Sequence, residues 1–166
     1  MRLFIGSPVI LDDYASIQND FKDIIEGKWV EEQNLHLTWV FLGDVEEVKP
    51  VIDKLKGVSP LKDQSSIIEL GYFGRPPKIF FAKSEEKALY DKAREFRGSG
   101  FDLYRFKPHI TLCRIKAIHD YKAYKERLKT YREKPLGVIL PEIHLYESML
   151  SSKGAHYTCR YTLKTT

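Results

Sequence analysis

The chain has 166 residues, 43% of them hydrophobic and 30% charged, with 27 Lys and Arg against 23 Asp and Glu. That mixture excludes wholesale disorder and suits one compact domain over residues 1–166, built as two lobes sharing a core at most. The net charge of +4 tolerates a polyanionic partner without requiring one.

No run approaches the roughly 18 apolar residues of a membrane span. Met1 to Leu11 is apolar but broken by Pro8 and followed by Asp12 and Asp13, so it reads as a first strand rather than a leader. Cys113 and Cys159 make no disulfide framework and fit a reducing, cytoplasmic setting. Next, Ile17, Phe21, Ile24 and Ile25 recur at helical spacing and predict a helix over Tyr14 to Ile25, with Gly27 as its stop. Leu35 to Leu42 reads as a strand closed by Gly43-Asp44. Val48, Val51, Ile52 and Leu55 mark a second short helix ended by Gly57. Ser66 to Phe73 and Lys78 to Ala82 read as strands around the turn Gly74-Arg75-Pro76-Pro77. Leu89, Ala93 and Phe96 give a third helix, and Pro108 to Ile115 another strand. Tyr121, Tyr124, Leu128 and Tyr131 lay an aromatic stripe along a fourth helix, read as core packing. Val138 to Leu150 and Tyr157 to Leu163 read as a closing pair of strands. The pattern predicts mixed α and β structure with many short sheet segments.

One internal similarity stands out. His36-Leu37-Thr38-Trp39-Val40-Phe41-Leu42 aligns with His109-Ile110-Thr111-Leu112-Cys113-Arg114-Ile115, 73 residues further on. Both read His, apolar, Thr and then an apolar-rich strand, each followed by a predicted helix. Such spacing suggests a duplicated unit about a pseudo-two-fold axis. Strict alternation along a strand puts His36 and Thr38 on one face and Leu37, Trp39 and Phe41 on the other. It likewise groups His109 with Thr111 and Cys113, and places Arg114 opposite His109 unless a bulge intervenes.

Two His-Thr pairs across a shared groove suit a phosphodiester. In-line attack at phosphorus needs a base on the incoming oxygen and an acid on the leaving oxygen, and imidazole serves for either near neutrality. Threonine hydroxyls donate to non-bridging oxygens as charge builds there. No cofactor is expected. His109 and Cys113 lack two further ligands, so no metal site is expected, and Cys113 has no activating partner of its own as a nucleophile. His119, His144 and His156 stand outside the motif and read as structural or surface residues.

With these residues in view, the chain resembles the 2H phosphoesterases, and within them the bacterial and archaeal RNA 2′,3′-cyclic phosphodiesterases, also known as 2′-5′ RNA ligases. The resemblance rests on Asn34-Leu35-His36-Leu37-Thr38, on Arg105-Phe106-Lys107-Pro108 followed by His109-Ile110-Thr111-Leu112-Cys113-Arg114, and on Met1-Arg2-Leu3-Phe4, Phe41-Leu42-Gly43 and Glu147-Ser148. It implies an α+β, LigT-like fold of two lobes, mostly antiparallel sheets with flanking helices, around a central cleft. It implies opening of a ribose 2′,3′-cyclic phosphate to a 2′-phosphate, with His36 protonating O3′ and His109 activating water. Thr38, Thr111 and Arg114 would bind the phosphate. Arg105 adjoins Phe106, whereas the family's arginine more often stands two residues before that Phe.

RNA ends or small cyclic nucleotides are the expected partners, with no membrane, and a monomer is the expected state. Arg75, Lys78, Arg94, Arg97, Arg105 and Lys107, interleaved with Tyr72, Phe73, Tyr104 and Phe106, suit either RNA recognition or plain surface solvation. End ligation, another cyclic nucleotide substrate, and an RNA-binding module without turnover stay open.

Overall fold

In the computed structural model, residues 1–165 are described, and they hold nine strands and four α-helices. β1 (Arg2–Leu11) is the seam of the molecule. Its first half pairs antiparallel with β3 (His36–Asp44) on one edge and with β8 (His144–Ser151) on the other. Its last three residues, Val9 to Leu11, pair instead with β7 (Pro135–Ile139). One lobe therefore has the strand order β3-β1-β8-β9, where β9 is Gly154–Thr162. The other runs β2-β6-β5-β4-β7-β1, where β2 is Ile25–Trp29, β4 Ser65–Phe73, β5 Ile79–Lys83 and β6 His109–Ile118. All pairings are antiparallel.

Helices cover one face of each sheet. α1 (Tyr14–Phe21) begins at Asp13, whose carboxylate accepts from the Ser16 amide and satisfies an otherwise orphaned N–H. Its Phe21 packs on Phe80 of β5 and on Tyr124 of α4 (Tyr121–Lys129), and all three rings are fully buried. Each such ring contributes roughly 2–3 kcal/mol by leaving water. On the other sheet Trp39 of β3 packs against Phe96 of α3 (Lys87–Gly98). The Lys54 carbonyl, at the end of α2 (Lys49–Leu55), accepts from Ser99 just beyond α3 and ties those two helices together. Connections thus cross between the lobes: α3 follows β5 of one sheet and packs on the other.

Three sequence expectations are corrected. The first helix stops at Phe21, and Ile24 and Ile25 serve the next turn and β2. Gly27 is not a helix stop but a point of close approach, because a Cβ there would lie 2.3 Å from the Arg114 carbonyl and 2.9 Å from Cys113 Sγ. Val138 to Leu150 is not one strand, since Pro141 interrupts it and the halves pair in different lobes. The aromatic stripe on α4 is core at Tyr124 and, just past the helix, at Tyr131, while Tyr121 is half exposed.

Candidate active site

β3 and β6 carry the two His-Thr pairs and lie against one another between the lobes without pairing. Their burial patterns match residue by residue. In both, the first six residues run half-buried, buried, half-buried, buried, buried, exposed. The doubled burial comes from a β-bulge at the same place. Ile5 pairs with Val40 and Gly6 with Thr38, which leaves Trp39 as the extra residue. Phe80 pairs with Cys113 and Phe81 with Thr111, which leaves Leu112.

The bulges reverse the alternation expected beyond each Thr. Cys113 joins Leu112 in the core instead of sharing a face with His109, and burial pushes its thiol up to about 12. A proton that tightly held makes Cys113 neither a nucleophile nor a ligand beside His109. Phe41 emerges at 76% exposure instead of lying inward with Trp39. Arg114 emerges on the same side as His109, where its charge acts on His36 and Tyr157.

Each bulge has a polar anchor. The Tyr14 hydroxyl sits between the carbonyls of Val30, at 2.6 Å, and Leu112, at 3.1 Å, and the Val30 amide also donates to Leu112 at 2.8 Å. At the other bulge the Trp39 indole donates to the buried Ser7 hydroxyl at 2.8 Å. Neither anchor is visible in the motif itself.

Both imidazoles are held alike. His36 Nδ1 lies 2.7 Å from the Asn34 carbonyl and His109 Nδ1 lies 2.7 Å from the Lys107 carbonyl, each two residues back. A carbonyl only accepts, so Nδ1 carries the hydrogen in both rings and Nε2 is left to take or give a proton. Two aromatic rings flank each histidine: Phe4 at 4.8 Å and Tyr157 at 5.3 Å for His36, Phe73 at 4.8 Å and Phe81 at 5.5 Å for His109, all between centroids. Burial holds both imidazoles below their ordinary pKa. For His36 the charges of His109 and Arg114 push further the same way, against the pull of the Asn34 carbonyl. For His109 the Lys107 carbonyl opposes burial.

Thr38 and Thr111 are half-buried on the faces of their histidines. Beside His36, a hollow of about 230 Å³ is lined by Asn34, Tyr146, His156 and Tyr157, among others. Tyr157 and His156 therefore border the site, although His156 stands outside the motif; their approach depends on where the β8–β9 hairpin packs, which the strand pattern alone does not encode. His119 and His144 stay apart, beside Glu26 and Glu142.

The interleaved basic and aromatic residues divide. Phe106 stacks on Trp39 at 5.4 Å and is a packing residue, while Arg94 pairs with Asp91 and Arg97 donates to the Leu103 carbonyl. Lys107 lies 6.0 Å from the ring of Phe73, next to His109. Among the described residues no three His, Cys, Asp or Glu side chains converge as metal donors, and no helix is long and apolar enough to cross a membrane.

Comparison with known proteins gives a consistent pattern. The family model for LigT like Phosphoesterase matches residues 5–81, which contain the first His-Thr pair but not the second. RNA 2′,3′-cyclic phosphodiesterase of Methanocaldococcus jannaschii is 30% identical, the match covering 95% of this chain and 96% of that protein. Its counterpart in Aquifex aeolicus is 31% identical over 95% of this chain and 94% of its own. Among solved structures, TT0787 of Thermus thermophilus superposes with a TM-score of 0.73 at 26% identity, covering 98% of this chain and 97% of that one. Apo LigT of E. coli shares the fold, with a TM-score of 0.70 at 22% identity over 99% of this chain and 97% of its own.

Proposed function

The chain belongs to the LigT-like phosphoesterase family, and on that premise we propose that it hydrolyses 2′,3′-cyclic phosphate ends of RNA to 2′-phosphates, as a single domain of two intertwined lobes. The observation that carries this reading is the matched pair of histidines, each held through Nδ1 by a carbonyl two residues back and each followed by Thr at the same offset. Water attacks phosphorus, the P–O3′ bond breaks, one ring takes the proton of the water, and the other ring gives a proton to O3′. Thr38 and Thr111 donate to the non-bridging oxygens, and Arg114 supplies the cation for the charge that develops there. The two rings and the arginine account for the chemistry without a metal.

The family resemblance gives the acid role to His36. In the free protein burial holds both imidazoles below their ordinary value, and at His36 the charges of His109 and Arg114 add to that. A bound phosphate anion favours protonation of whichever ring faces the leaving oxygen. Reaction needs one ring protonated and the other neutral, and the side on which O3′ lies decides the direction of transfer.

The test is turnover, in EDTA, of an RNA oligonucleotide ending in a 2′,3′-cyclic phosphate, with His36→Ala alongside. A 2′-phosphate product that falls roughly 10²-fold or more in the variant is expected. No product above the variant's level, or a 3′-phosphate product, counts against the proposal.

A further inference from the structure

On the far face of β4 from His109 lies a second hollow, of about 470 Å³, lined by Tyr72, Arg75, Pro76, Pro77, Tyr121 and Lys125. Its size falls within the range of small-molecule sites and suffices for one nucleotide. The chemistry of its lining is specific. The Lys125 ammonium donates to the Tyr72 hydroxyl at 2.6 Å and lies 4.9 Å and 5.8 Å from the ring centroids of Tyr72 and Tyr121. Arg75 is exposed on the turn above it. The groups acting on Lys125 are the two tyrosines, with no carboxylate among them, whereas several other surface cations are paired, such as Arg94 with Asp91 and Arg127 with Asp23. Among the described residues neither Arg75 nor Lys125 pairs with a carboxylate, and with two tyrosine rings and the exposed Pro76 they make an anion-binding, ring-stacking surface.

Its position relative to the candidate active site follows from one strand. Phe73 sets its ring edge-on to His109 at 4.8 Å, and its neighbour Tyr72 points to the opposite face and borders the hollow. The turn Gly74-Arg75-Pro76-Pro77 is the rim between the two. A cyclic mononucleotide at His109 does not cross that rim, but a strand of several nucleotides does. Lys107, 6.0 Å from the Phe73 ring, adds a cation on the near side.

We infer that this hollow holds a nucleotide upstream of the reacting end, with Arg75 and Lys125 on its phosphate and Tyr121 and Tyr72 against its base, so that the protein prefers RNA strands over cyclic mononucleotides. This rests on the phosphodiesterase reading above.

Two measurements test it. The first compares kcat/KM for a ten-nucleotide RNA ending in a 2′,3′-cyclic phosphate with that for a 2′,3′-cyclic mononucleotide, in the wild type and in Arg75→Ala/Lys125→Ala. The wild type should favour the longer substrate, and the variant should lose that advantage by about tenfold or more, mostly in KM. The second measures binding of the same RNA ending in a 2′-phosphate by fluorescence anisotropy, independent of turnover. Affinity should fall by a similar factor in the double variant and in Tyr121→Ala, and the double variant's slope of log affinity against log salt should be shallower by about 1.4. Equal rates for both substrates, or affinity and salt slope indifferent to the substitutions, overturn the inference while leaving the phosphodiesterase reading intact. Turnover of neither substrate by the wild type defeats that reading, and the binding data still decide whether the hollow holds RNA.

Discussion

Replacing His109 by Asn isolates what the imidazole does. The Asn amide nitrogen stands close to the position of Nδ1 and can keep donating to the Lys107 carbonyl, now accepted at 2.7 Å, while Nε2 is deleted. The loss of ring contacts with Phe73 and Phe81 costs about 1 kcal/mol of packing, so the variant should fold. Removing a general acid or base costs about 10²–10⁴ in rate, or roughly 2.7–5.4 kcal/mol of barrier. Because the two rings act as a unit, His36→Asn/His109→Asn should be no more than about tenfold worse than the poorer single variant. The assay is kcat/KM on cyclic-phosphate-terminated RNA in EDTA, with thermal melting alongside. His36 also reports directly: with the neighbouring charge gone, its titration by NMR should move up toward the ordinary imidazole value. A rate within tenfold of wild type or a double variant whose losses multiply would each break the two-histidine argument.

Other consequences follow from the same geometry. Both imidazoles are held below 6.5, so kcat/KM should peak on the acid side of that value and fall as pH rises; kcat should peak higher, because bound phosphate favours the protonated pair. A kcat/KM profile still rising above pH 7 would contradict this. The same depression makes stability rise with pH, since below about 6.5 the unfolded chain takes up protons that the folded one refuses; the melting temperature of the wild type should therefore fall more steeply in acid than that of His36→Asn/His109→Asn, whose packing loss is the same at every pH. Thr38→Val and Thr111→Val each remove a donor to a charged oxygen, about 1.5–3 kcal/mol, and should lower kcat/KM roughly 10- to 150-fold with little change in melting temperature. Gly137→Ala would put a Cβ 2.0 Å from the Ile10 carbonyl at the seam between the sheets. The backbone must move there, at a cost of about 3 kcal/mol or roughly 10 °C in melting temperature; an unshifted melt would refute the packing argument.

The candidate histidines were legible because their signal is local. His36-Leu37-Thr38 and His109-Ile110-Thr111 need only the two-residue period of a strand to put ring and hydroxyl together, and burial alternates as that period requires through Thr38 and Thr111. Helical spacing likewise located α2, α3 and α4 to within a few residues. What failed was whatever depended on a partner strand. The period of two holds only while the ladder stays in register, and the bulges at Trp39 and Leu112 are set by pairing with β1 and β5 and by anchors as distant in sequence as Ser7 and Tyr14. Those bulges send Cys113 into the core and bring Arg114 out beside the histidines. β2 escaped notice for the same reason, since Gly27 is required by the backbone of β6, 87 residues away. Residue types and their spacing determined which groups are the candidates for the chemistry; only the tertiary pairing decided which way the side chains beyond them point, because a strand's register belongs to the sheet and not to the strand.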